Sequence, residues 1–358
     1  MELSAPDILV ISLGTTAGLR RADEAFAQSV RAVGASCEIV PVEIGLLGSL
    51  RRAQPLIDLV EAVAARRTTA AVLKGFQPRA IVFSTVTVAL LQPRWVWRNF
   101  RTAIRFDCPA ALNRPGNRNF AQHRLELRAL ACTDLALPMG AAAAHAAGID
   151  GERVLPIPLD ERFVAERRGG CAAGGVSRAV AYGGGPDKRG LDLLCRAWPA
   201  VGLENIELQI VGIDTDAASK FLDRRGVAVP ANVEFAGMLA PAALADLLAS
   251  SRVFVNASRW EDYGMTQLEA LAAGAVLATV PTPGPYEALP IARQLAPELV
   301  AADMSPDALA VAVRSAFELN DDVLAHYREA AWRALADYRP AAVEERLRNE
   351  ILPALLGS

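Results

Sequence analysis

The chain has 358 residues, 52% of them hydrophobic and 22% charged, with a formal net charge of −3. That length exceeds one hydrophobic core and predicts two domains, while the charge gives no global footprint for nucleic acid. Five scattered cysteines (Cys37, Cys108, Cys132, Cys171 and Cys195) form no CxxC pair, which argues against a disulfide framework or a zinc site and for reduced thiols of a cytoplasmic protein.

The N-terminus, "MELSAPDILVISLG", runs from an acidic start straight into a strand-like segment with no secretory leader, and no apolar run reads as a membrane span. Contact with a membrane surface remains open. Strands are expected at residues 7–13, 37–42, 79–85, 102–107, 134–138 and 153–158, alternating with Ala/Leu-rich helical spacing. Their continuous apolar character predicts a parallel sheet covered on both faces. The segment 160–177, charged and then glycine-rich, reads as an interdomain linker. Alternation then resumes, with strands expected at 178–185, 206–212, 232–237, 252–258 and 275–280. The expected domains are 1–165 and 166–335, both Rossmann-like, with a C-terminal helix at 336–358 packing back across the linker.

The stretch "NASRWEDYGMTQLEALAAG" (256–274) carries the functional signal. In doubly wound sheets ligands sit beyond the carboxyl ends of strands, next to helix N-termini. Residues 258–263 form such a loop, and Gly264, Met265, Thr266 and Gln267 form the first helical turn, whose unpaired N–H groups and Thr266 hydroxyl suit a phosphate. Glu261 beside that site would repel phosphate, but it suits neutral hydroxyls, as does Glu269 inside the helix. A diphosphate flanked by two polyols describes a nucleotide sugar.

With Glu-x7-Glu ahead of "ALAAG", this stretch resembles the signature of retaining GT-B glycosyltransferases, glycosyltransferase family 4 in particular. "NVEFAGML", "YGGGPDKRGLDLLCRAW" and "VLPIPLDERF" resemble further segments of that family. The resemblance implies two Rossmann-like parallel-sheet domains facing each other across a cleft, donor on the C-terminal side and acceptor on the N-terminal side. It implies that Glu261 contacts hydroxyls of the transferred sugar and Glu269 the ribose. The backbone of Tyr263, Gly264, Met265 and Thr266 would face sugar and phosphates, and Lys188 or Arg189 would neutralise the pyrophosphate. The family works without a metal cofactor, because the helix dipole and basic side chains take the leaving charge.

The chain departs from the pattern in two places. Gly183 and Gly184 stand where the family usually carries an arginine, and Pro158-Leu159 where Asn-Gly is usual. The first halves the expected basic clamp.

In the first domain, Gly14, Thr15 and Thr16 follow the first strand and resemble the family's glycine-bearing loop at the donor phosphates. Asp107 ends a strand at the carboxyl edge, where the family often has a histidine or aspartate near the reacting hydroxyl. Arg114 and Arg118, in the basic loop "LNRPGNRNFAQHR", are candidates for an anionic acceptor. The histidines have neither metal-ligand nor triad spacing.

The expected activity is metal-independent, retaining hexosyl transfer from a nucleotide sugar to a sugar, lipid-linked or small-molecule acceptor, in carbohydrate biosynthesis. The alternatives are a catalytically silent GT-B protein that binds a nucleotide sugar, and a sugar phosphorylase or epimerase of the same plan.

Overall fold

The computed structural model describes residues 5–44, 56–116, 119–149, 153–165 and 177–357. It divides into two compact units: Met1–Pro158 with Pro340–Ser358, and Leu159–Arg339. Arg118, Cys171 and residues 166–176 of the expected linker, including the start of the expected second domain, lie outside the described residues.

The first unit holds β1 (Ile8–Ser12), α1 (Ala17–Ala32), β2 (Cys37–Pro41), α2 (Leu56–Val72), β3 (Ala80–Phe83), α3 (Val86–Ala89), α4 (Arg94–Asn99), β4 (Arg101–Phe106), α5 (Ala110–Asn113), α6 (Phe120–Cys132), β5 (Leu135–Pro138) and α7 (Ala141–Ala147). Its sheet is parallel, in the order β2-β1-β3-β4-β5. β1 is buried along its whole length, which is why its sequence reads as an unbroken apolar run rather than an alternation. One core lies between the sheet and α2, α3 and α6.

The second core takes Phe26 and Val30 of α1 together with the C-terminal segment, where α16 (Pro340–Arg346) and α17 (Leu352–Leu356) flank one π turn. Val343, Leu347, Ile351, Leu352 and Leu355 are buried there against Ile8 and Val10.

Residues 153–158 do not form the expected strand. Leu155 N–H donates to the Pro138 carbonyl, but Pro156 and Pro158 have no N–H to continue a ladder, so the segment runs as an extended connector.

The second unit opens with α8 (Glu161–Ala165). β6 (Ser177–Tyr182), α9 (Leu191–Val201), β7 (Ile206–Val211), α10 (Thr215–Arg224), β8 (Val233–Gly237), α11 (Pro241–Ser250), β9 (Val253–Asn256), α12 (Met265–Ala272), β10 (Val276–Thr279), α13 (Ala288–Leu295), α14 (Pro306–Glu318) and α15 (Asp321–Ala334) follow. Its parallel sheet runs β10-β9-β6-β7-β8. The winding therefore reverses between the neighbours β6 and β9, the place where an open α/β sheet leaves a crevice beyond its carboxyl ends. In the first unit the corresponding reversal lies between β1 and β3.

A buried ion pair sits under the first unit's reversal. Arg105 of β4 and Asp23 of α1 are each 2% exposed in their side chains and 3.0 Å apart. Ser12 Oγ donates to the other Asp23 oxygen at 2.6 Å, Arg105 also donates to the Ala22 carbonyl, and its guanidinium lies 4.4 Å from the centre of the Phe26 ring. Burial raises the Asp23 pKa above the ordinary carboxylate value, against the pull of Arg105.

Removing one partner leaves an uncompensated buried charge, so Asp23→Ala is expected to cost about 3–5 kcal/mol in equilibrium urea unfolding. The double change Asp23→Leu with Arg105→Met is expected to recover most of that loss, because it removes both charges.

Candidate functional site

The candidate site of the second unit is built by the loops that follow β6, β9 and β10, three adjacent strands. Glu261, in the loop after β9, is 2% exposed. Its Oε1 accepts from Ser258 Oγ at 2.9 Å, from Gln267 Nε2 at 2.8 Å and from Arg189 Nη1. Three donors on one oxygen offset the desolvation of a buried carboxylate. Among the described residues no hydrogen bond is directed at Oε2, which leaves that oxygen able to accept from a further donor.

A second tier holds the donors in place. Asn256, the last residue of β9, accepts from Gln267 Nε2 (3.0 Å), and its Oδ1, 2.7 Å from Ser258 Oγ, shares that hydroxyl's single proton with Glu261. It donates from Nδ2 to Thr279 Oγ1 and Thr282 Oγ1, at 3.0 and 3.1 Å. All of these groups are buried.

The loop after β6 is stapled to the loop after β9. Arg259 N–H donates to the Lys188 carbonyl (2.8 Å), and the Arg259 guanidinium bridges the Asp187 carbonyl and both oxygens of Asp192. Lys188 Nζ pairs with Asp262 at 2.5 Å, and Trp260 Nε1 donates to the other Asp262 oxygen. Arg189 pairs with Glu261 and lies 5.3 Å from the centre of the Tyr182 ring. Burial lowers its pKa, against the fields of Tyr182 and Asp262. From the third side, Glu261 N–H donates to the Pro283 carbonyl.

Gly264 caps α12 in the left-handed conformation (φ 89°), with no side-chain cap hydrogen bond to the first N–H groups of α12, beside half-buried Met265 and Thr266. A Cβ at Gly264 would lie 2.7 Å from the Tyr286 ring. Tyr263 is buried, and its carbonyl accepts from Glu287 N–H. Glu287 in turn accepts from Tyr338 Oη at 2.7 Å, so it braces this loop. Glu269 is buried in the second turn of α12, and its charge raises the Arg162 pKa after the larger effect of Asp160.

Glycines 183 and 184 are short for a steric reason. A Cβ at Gly183 would lie 2.7 Å from both Ile210 and Ile213, and one at Gly184 would lie 2.6 Å from Tyr182 Oη. Tyr182 fills the space that a longer side chain at 184 would cross.

In the first unit, Thr16 caps α1 by accepting from Leu19 N–H (3.2 Å), and Gly14 (φ 55°) accepts from Arg20 through its carbonyl. Thr15 lies between them and is half-buried, whereas Thr16 is exposed. Asp107 follows β4 and is half-buried. Arg114 pairs with Asp58 at 3.1 Å, so its charge is already matched within the unit. The sequence places Ser258 in the loop and Gln267 in the first helical turn but gives neither a role at Glu261, and it does not single out Asn256. The signal for Asn256 was a polar residue closing an otherwise apolar strand.

The family model for glycosyl transferases group 1 matches residues 177–318. The second unit is a group 1 glycosyltransferase domain. None of the curated proteins matches the sequence. Among solved structures, sucrose-phosphate synthase from Thermosynechococcus elongatus superposes with a TM-score of 0.72 at 16% identity, over 98% of this chain and 99% of that one. Anabaena HepE in complex with UDP gives 0.71 at 13% identity, over 96% and 98%. WaaG, a glycosyltransferase involved in lipopolysaccharide biosynthesis, gives 0.67 at 16% identity, over 98% and 100%. The whole chain therefore has a GT-B-like fold, two five-stranded parallel sheets each flanked by helices.

Two glycines of the glycosyltransferase domain test the stapled loops. Gly190 and Gly226 have nearly the same φ (62° and 61°), but a Cβ at Gly190 would lie 2.0 Å from the Ala257 carbonyl, whereas one at Gly226 meets nothing within 4 Å. Gly226→Ala is expected to cost about 1–2 kcal/mol from backbone conformation alone. Gly190→Ala is expected to cost at least about 1 kcal/mol more in urea unfolding, because rigid backbone must shift.

Proposed function

We propose that the protein moves a sugar from a nucleotide diphosphate sugar to an acceptor hydroxyl with retention at the anomeric carbon, and without a metal. The observation that carries this reading is the Glu261 cluster beside the start of α12, at the winding reversal of the glycosyltransferase domain. A carboxylate held by three donors on Oε1 presents Oε2 to hydroxyls of the transferred sugar in one fixed orientation, which is a positioning role. The helix start faces the diphosphate with its N–H groups, and Arg189 and Lys188 supply cations at the same edge. Glu269 takes the ribose hydroxyls. HepE, of similar fold, is solved in complex with UDP-glucose.

In the reaction, the bond from the anomeric carbon to the phosphate oxygen breaks and the bond to the acceptor oxygen forms on the same face. The acceptor proton passes to the leaving phosphate. Backbone N–H groups and guanidinium stabilise the charge that develops there. Asp107, at the carboxyl edge of the first unit's sheet, is the proposed group near the acceptor hydroxyl.

A silent nucleotide-sugar binder is the second reading, favoured by the glycines at 183 and 184, where the family usually carries an arginine.

Thermal unfolding with UDP, GDP, ADP and TDP, with and without magnesium, is expected to show one diphosphate stabilising by about 2–3 kcal/mol at a hundredfold excess over Kd, unchanged by the metal. Stabilisation by none of them would overturn the donor assignment. Glu261→Ala is expected to lower kcat about a hundredfold while diphosphate affinity stays within a few-fold. A change in affinity alone, with no turnover by the unaltered protein on any acceptor tried, would favour the silent binder.

A further inference from the structure

The outer surface of the first unit's α2, α4 and α6 differs from the rest of a chain whose net charge is −3. These helices expose six arginines: Arg66, Arg67, Arg94, Arg98, Arg124 and Arg128. Their carboxylates, Asp58, Glu61 and Glu126, are all buried. Asp58 is matched by Arg114, and Glu126 accepts from the Ala110 N–H. Just beyond α6, Asp134 is paired with Arg101. None of the six arginines forms an ion pair among the described residues.

The same helices carry every large exposed hydrophobic side chain found among the first unit's described residues: Leu59 on α2, Trp95 on α4, and Phe120 and Leu127 on α6, the last two 60% and 64% exposed. On α6, Phe120, Arg124, Leu127, Arg128 and Ala131 follow the helical repeat and form one exposed stripe. Arg124 lies over the Phe120 ring at 5.5 Å. Arg66, Arg94 and Arg128, one from each helix, line one cavity of about 390 Å³ together with Gln92, Trp97 and Leu125.

We propose that this face docks the protein on an anionic lipid surface. The arginines would sit at phosphodiester headgroups, with the cavity between Arg66, Arg94 and Arg128 taking one of them. Leu59, Trp95, Phe120 and Leu127 would enter the headgroup–acyl boundary. Charge complementarity selects an anionic partner, since uncompensated guanidiniums clustered around one cavity repel each other until an anion joins them. The interspersed side chains select a bilayer over a nucleic acid. Two of the four are leucines, which offer no stacking face to a base, whereas apolar side chains standing among arginines can meet headgroups and the acyl boundary together. No helix among the described residues is long and apolar enough to cross a membrane, so this contact lies on the surface rather than spanning it. The proposal is independent of the donor assignment.

The test is co-sedimentation of the full chain with phosphatidylcholine vesicles, with and without phosphatidylglycerol, at low and physiological salt. Binding is expected only to the vesicles containing phosphatidylglycerol, and weaker at higher salt. Each neutralised arginine is expected to weaken binding about fivefold, so Arg94→Gln, Arg98→Gln and Arg128→Gln together lose on the order of a hundredfold. Trp95→Ser with Leu127→Ser is expected to weaken binding several-fold while leaving the salt dependence in place. Because all five positions are exposed, the variants should unfold at the midpoint of the unaltered chain.

Absence of vesicle binding, equal binding to neutral vesicles, or binding insensitive to the triple change would each overturn the proposal. So would tighter binding to polyuridylate than to the vesicles. Self-association that the triple change abolishes, without vesicle binding, would overturn it in favour of a second copy as the occupant. In all of these cases the nucleotide-dependent stabilisation of the other unit would be unaffected, which separates failure here from failure of the donor reading.

Discussion

A carboxylate buried at the carboxyl end of a parallel strand is costly unless donors surround it, and the second unit is organised around meeting that demand at Glu261. The donors come from different places in the chain. Ser258 lies on the same loop, Gln267 on the helix that follows, and Arg189 on the loop after the neighbouring strand. Arg189 reaches Glu261 only where the loops after β6 and β9 approach closely, and the backbone shows how the loops after β6, β9 and β10 do so. At Gly190 and at Gly284 a Cβ would lie 2.0 and 2.1 Å from the carbonyl oxygens of Ala257 and Glu261. The close approach, the left-handed conformations and the buried acid are one arrangement, and each part accounts for the others.

The first unit meets a similar problem with a different outcome. Asp23 and Arg105 are as buried as Glu261, but their polar atoms are turned on each other, on Ser12 and on the Ala22 carbonyl. The pair ties α1 and β4 to the end of β1 and presents nothing outward. A buried charge of this kind serves the register of the elements rather than a ligand. The distinction lies in whether an acid oxygen is left to be claimed. At Glu261 the donors converge on one oxygen, while at Asp23 they are spread over both.

Much of this was legible in the sequence because it is local. The strands were visible as apolar runs, and the Gly-led start of α12 with its flanking glutamates, Glu261 and Glu269, fits in nine residues. Residues 153–158 misled, because an apolar run with β-branched residues outweighed two prolines whose missing donors decide the outcome. The polar networks were only half legible. Asn256 and Arg105 stand out as polar residues in apolar strands, but their partners lie 2 to 26 and 82 residues away, at distances no periodicity encodes. The division of the chain was obscured in another way. The expected boundaries followed composition, whereas the structure changes unit at Pro158/Leu159 and Arg339/Pro340, within segments that look continuous.

The glycines at 183 and 184 bear on how one cation can serve two anions. A Cβ at 184 would meet the hydroxyl end of Tyr182, and the Tyr182 ring carries the guanidinium of Arg189. Arg189 is thus held on an aromatic face with one terminal nitrogen on Glu261. A guanidinium has five N–H donors in a planar fork, so the bond to Glu261 leaves others able to meet a phosphate oxygen at the same time. A lysine at that position would lack the planar fork that spans two anions at once and packs flat against a ring. On the proposed reading, with glycines at 183 and 184 the diphosphate is left to Arg189 and Lys188, and the Tyr182 ring holds the Arg189 guanidinium in its orientation. The acid that positions the sugar and the cation that meets the diphosphate are then joined in the free protein, so that a donor enters a site whose charges are already aligned.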